Sequence, residues 1–81
     1  MAYGGPAPIF VITRYQKGVI GHSSELGLTV VGPTLEWVLG GILSRFEARD
    51  PQDRPNGFYV VTEARSHYYR RVGTTDKWTQ T

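Results

Sequence analysis

The residue types that can do chemistry first gather in the run His22-Ser23-Ser24-Glu25. A hydrolase needs a hydroxyl, an imidazole and a carboxylate converging on one point. Here they are chain neighbours, and in an extended segment neighbours point to opposite faces. The surrounding GHSSE also lacks the G-x-S-x-G pattern of a nucleophile elbow, so the run reads as a polar turn. Glu63 and His67 share a strand face at i, i+4, but roughly 13 Å of extended chain separates them, beyond hydrogen-bond reach. Gly18 to Gly21 is followed by no G-K-[ST], so no phosphate loop is expected. With two His and no Cys, a structural zinc site has too few ligands. We therefore expect no enzyme, no cofactor, no metal and no small-molecule substrate.

Two other constellations suit binding better than catalysis. The first is on the stretch TLEWVLGGILSRFEARD, Thr34 to Asp50. Leu35, Val38, Leu39, Ile42 and Phe46 recur at the spacing of a core-facing helical stripe. The opposite side holds Trp37, Gly40, Gly41, Ser44 and Ala48, where a solvated helix would carry Glu, Lys, Arg and Gln. Each Gly costs a helix roughly 0.8–1 kcal/mol relative to Ala, so two in succession imply that other atoms must come close to the backbone. Trp is also the residue most enriched at interface hot spots. These five residues are the expected protein interface, packing on a second copy in a homodimer or on a larger protein. The second constellation is Arg65, His67, Tyr69, Arg70 and Arg71, in a stretch without acids from Ala64 to Val72. Arginine binds phosphate and tyrosine stacks on bases, so this is the alternative expectation, a nucleic-acid-binding strand. It lacks the RNP1 pattern, and three arginines support only about two or three phosphate contacts.

Charge and size set the limits. The chain has 81 residues, enough for one domain, and a net charge of +2. Residues 1–57 carry five basic and five acidic side chains, so the excess lies in residues 58–81, with Arg65, Arg70, Arg71 and Lys77 against Glu63 and Asp76. The absence of cysteine points to a reducing, cytoplasmic compartment. Leu26 to Leu43 has the length of a membrane span but contains Gly32-Pro33 and Glu36, which favours a strand, a turn and a helix.

The elements that must position these groups follow from pattern. Residues 1–8, MAYGGPAP, read as a flexible arm. Ile9 to Gln16 is a strand whose start reads as buried on both faces and whose end reads as half-exposed, Lys17-Gly18 a turn with Gly18 supplying positive φ, and Val19 to Ser23 a return strand. Leu26 to Val31 is a third strand, ended by Gly32-Pro33. Thr34 is a good N-cap, with Glu36 in the first turn, where the helix dipole favours an acid. The helix should stop near Asp50-Pro51. DPQDRPNG is a loop, Phe58 to Val72 one strand so long that it must bend near Ala64 or Ser66 or run beyond the sheet, and residues 73–81 a polar tail. The order β-β-β-α-β makes residues 9–72 a single α+β domain: a two-layer sandwich with one helix on one face of a mostly antiparallel sheet. The resulting expectation is a small adaptor or inhibitor of a larger protein, of the size common among phage and mobile-element accessory proteins.

Overall fold

A computed structural model describes residues 6–71 and 78–80. The strands are β1 (Ile9–Tyr15), β2 (Gly18–Ser23), β3 (Leu28–Gly32), β4 (Gly57–Val61), β5 (Ser66–Arg71) and β6 (Trp78–Gln80), and the helix α1 (Leu35–Glu47) joins β3 to β4. They form one sheet in the order β3-β2-β1-β4-β5-β6. Every neighbouring pair is antiparallel except β1 and β4. The fold is α+β, with α1 packed on one side of the sheet. The stretch Leu26 to Leu43 divides into β3 and α1, and among the described residues no helix is long and apolar enough to cross a membrane.

The parallel pair follows from the helix. β3 lies at one edge, and the chain must pass over β2 and β1 before β4 can lie beside β1. That passage is α1, which roofs the strands it crosses. Its stripe does the work: Val38, Ile42 and Phe46 are buried, and Leu35, Leu39 and Leu43 are half-buried against the same core. From the sheet come Phe10, Ile12, Val19, Val30, Phe58 and Val60. Phe10, Phe46 and Phe58 meet edge to face, with centroids 5.1 to 6.0 Å apart. Each such pair adds about 0.5–1.5 kcal/mol beyond burial. Thr34 caps α1 as expected, its Oγ1 accepting from the Trp37 amide at 3.2 Å.

Four local expectations are corrected. Phe58 to Val72 is not one strand: β4 and β5 form a hairpin around Thr62. The Thr62 amide donates to the Arg65 carbonyl at 2.9 Å, and its Oγ1 accepts from the amides of Ala64 and Arg65 at 3.3 Å each. A Ser/Thr hydroxyl turn needs neither Gly nor Pro, so composition did not mark it. Within residues 73–81, Trp78–Gln80 is the strand β6, in register with β5 through Arg71↔Trp78. Gly18 opens β2 without positive φ, which among the described residues occurs at Gly27 (φ 61). A Cβ on Gly18 would instead overlap the Gly32 carbonyl. Finally, α1 ends at Glu47, before Asp50. Of the expected arm, residues 1–5 lie outside the described residues, while Pro8 is buried and its carbonyl accepts from the Tyr59 amide at 2.9 Å.

Candidate interaction surfaces

The helix ridge expected as an interface divides. Trp37 is 65% exposed, the most exposed large apolar side chain among the described residues. It sits at the start of α1, beside β3. Gly32 leaves room for it: a Cβ there would overlap the indole. Gly40 faces open space, with nothing near the position of a Cβ, and Ser44 and Ala48 are exposed. Gly41 does not belong with them. Its missing Cβ points at Val30, whose Cγ1 would lie 2.7 Å away, so Gly41 lets the helix settle onto β3. The helical sweep explains this: Gly41 precedes the buried Ile42 and follows Val38 by three positions, at the margin of the core stripe. The sequence signal for close approach was correct at Gly41, but the approaching atoms belong to the same chain.

The basic stretch divides as well. Arg65 is exposed in the Thr62 turn. His67, Tyr69 and Arg71 lie on the helix side of β5, and Arg70 on the other. Tyr69 stacks on Phe58, centroids 5.2 Å apart and rings 9° from parallel, and burial pushes its phenol pKa up. Arg71 donates to Asn56 Oδ1 at 3.3 Å. Tyr69 and Arg71 thus pack on this chain's own core and loop, and only Arg65 and Arg70 stand out in solvent.

His22 and Ser23 end β2 on opposite faces of the sheet, and Ser24 and Glu25 begin the β2–β3 turn. His22 lies on the helix-free face and shares a hydrogen bond with Thr29 Oγ1 at 2.8 Å through Nδ1. Ser23 is buried on the helix side and donates to Glu25 Oε1 at 3.1 Å. The Glu25 carboxyl is held below its usual value chiefly by its own backbone amide, which outweighs the opposing effect of desolvation, with lesser help from the Ser23 hydroxyl and the Ile9 amide. These bonds tie the β2–β3 turn to the start of β1. Beside them, Ile9, Val11, His22, Ser24 and Glu25 line a shallow depression of about 240 Å³, below the roughly 300–1,000 Å³ of ligand pockets. Among the described residues, no group of three or more His, Cys, Asp and Glu is placed to hold a metal.

A further apolar surface corrects the expectation that the start of β1 is buried on both faces. Ile9, Val11, Tyr15, Val31 and Tyr59 are 40% to 52% exposed. The registers Val11↔His22, Ile20↔Val31 and Ile9↔Tyr59 put all five on the face opposite α1. Ile20, Val61 and Tyr68 fill the spaces between them. Tyr59 and Tyr68 are cross-strand partners with centroids 4.8 Å apart. Tyr68 also lies across Gly57, where a Cβ would overlap its phenol. From β1 to β5 the only formal charge on this face is Arg70. The available signal was the alternation itself: in β1, the residues out of phase with Phe10 and Ile12 are Ile, Val, Thr and Tyr, where a solvated face would carry charge.

Comparison of the chain with family models, with curated proteins and with solved structures finds no match.

Proposed function

We propose that this protein is a small non-enzymatic interaction module, an adaptor or inhibitor that binds a larger protein through the helix-free face of its sheet. The observation that carries the reading is the gathering on that one face of five of the six exposed large apolar side chains among the described residues. An exposed apolar patch of a few hundred Å² is often a functional surface. With Arg70 the one formal charge that its strands present, the face suits a flat, largely uncharged, apolar protein surface, against which little charge has to be desolvated. Five strands at about 4.8 Å and five residues at about 3.3 Å give a footprint on the order of 400 Å². Standard interfaces bury about 800 Å² per partner, so this face by itself supports a reversible interaction rather than an obligate one.

The second reading is single-stranded nucleic acid on the same face, with Tyr15, Tyr59 and Tyr68 as stacking platforms and Arg70 on phosphate. It is weaker because one arginine neutralises about one phosphate, which gives a shallow salt dependence and little affinity.

The test uses Val11→Lys, a charge at the centre of the face on an already exposed position. Partners retained by wild type are identified, and one is purified and titrated against both proteins. At least tenfold weaker binding by the variant, with an unchanged far-UV spectrum, is the expected result. Equal affinity would overturn the reading. Sedimentation velocity with a short mixed-sequence oligonucleotide at low and moderate salt decides the second reading. A salt-sensitive shift lost in Tyr59→Ala would establish nucleic acid as the ligand.

A further inference from the structure

β3 is an edge strand. It pairs with β2 on one side, and among the described residues no strand lies on its other side. Its sequence, LTVVG, has no charge and no proline. Natural edges are usually blunted by lysine, proline, a bulge or a covering element, because a bare edge offers a row of backbone donors and acceptors to another strand. Two exposed apolar groups flank this edge, one on each side of the sheet: Trp37 above Gly32 on the helix side, and Val31 on the other.

We propose that β3 pairs with β3 of a second copy of this chain, antiparallel and centred on Val30. This does not depend on the reading of the open face. The second copy is favoured over a foreign strand because the edge is complementary to itself. In a two-fold antiparallel pair, Gly32 of one copy lies opposite Leu28 of the other. Leu28 and Gly32 are both on the helix side, at opposite ends of the strand. The Trp37 indole over Gly32 therefore meets the half-buried Leu28 of the mate, and the contact is made twice. On the other side, Thr29 lies opposite Val31, a cross-strand pair of two β-branched residues, also made twice. No like charges are opposed, since β3 has none. The two sheets become one continuous sheet, and their helix-free faces join into a surface of about twice the footprint estimated above.

Sedimentation velocity across a wide concentration range is the first experiment. The expected result is a monomer–dimer equilibrium. Val31→Lys puts charge on the edge and is expected to weaken it at least tenfold, and Trp37→Ala to weaken it measurably. Val11→Lys, on the open face away from the edge, is expected to leave it unchanged, which separates this proposal from the preceding one. The register is checked by cysteine pairing, which is clean because the chain has no cysteine. A mixture of Thr29→Cys and Val31→Cys proteins should form a disulfide-linked heterodimer on oxidation, while neither variant alone forms a dimer beyond the wild-type background. A monomer at all concentrations, a dimer untouched by Val31→Lys, or equal crosslinking in the single-variant samples would each overturn the proposal.

Discussion

Arg54 lies in a stretch whose composition says only loop, yet it closes the C-terminus of the helix. It is 8% exposed. Its Nε donates to the carbonyls of Phe46 at 2.9 Å and Arg49 at 3.1 Å, and Nη2 to that of Glu47 at 2.6 Å. The last carbonyls of a helix have no partner within it and form the negative end of its dipole, so a guanidinium there supplies both hydrogen bonds and charge. Two N–H groups carry the three contacts. Hydrogen bonds involving a charged group are worth about 1.5–3 kcal/mol each, or ~3–6 kcal/mol for two. Removal returns about 2 kcal/mol of side-chain freedom and lets the outer carbonyls reach water, leaving a net loss of about 2 kcal/mol. A domain of this length holds about 4–12 kcal/mol in total. At roughly 4–8 °C per kcal/mol, Arg54→Met, which keeps much of the apolar stem, should lower Tm by about 8–16 °C. Arg54→Lys keeps the charge but not the fork and should recover about half. Circular dichroism melts and urea titrations of the three proteins provide the assay. A Tm for Arg54→Met within about 4 °C of wild type would refute the reasoning, since it would mean that water serves these carbonyls as well as arginine does.

Two further perturbations have defined signs. Gly40→Ala should stabilise by about 0.8–1 kcal/mol because it gains helix propensity into open space, whereas Gly41→Ala drives a methyl to within 2.7 Å of Val30 Cγ1 and should be neutral or destabilising; paired thermal melts read the difference. The Glu25 carboxyl is lowered in the fold, so its contribution is complete above its unfolded value near 4.5 and is lost as pH falls through the folded value. Glu25→Gln should therefore lower stability by a constant amount between pH 6 and 8 and converge on wild type as pH falls below about 4.5, as measured by urea midpoints across pH.

The sequence determined the local elements and their phase. Thr34 as a cap, the stripe through Val38, Ile42 and Phe46, and the extended runs of β1 to β3 are read from side chains within a few residues of one another, because propensity, capping and periodicity act over one turn or one pleat. The α+β class follows from those elements. Tertiary structure decided what the phases face. Ile9, Val11, Val31 and Tyr59 have the same composition as core residues, and only the passage of α1 over one side of the sheet leaves them open. Gly40 and Gly41 are identical in sequence, but one faces solvent and the other Val30. The Arg54 cap and the stacking of Tyr69 on Phe58 depend on where the chain returns in space, beyond the single turn or pleat over which propensity and periodicity act, and the Thr62 turn, though local, has no Gly or Pro to mark it. Burial is a property of assembled surfaces, so the pattern along a strand can give two apolar faces without saying which one the helix will cover.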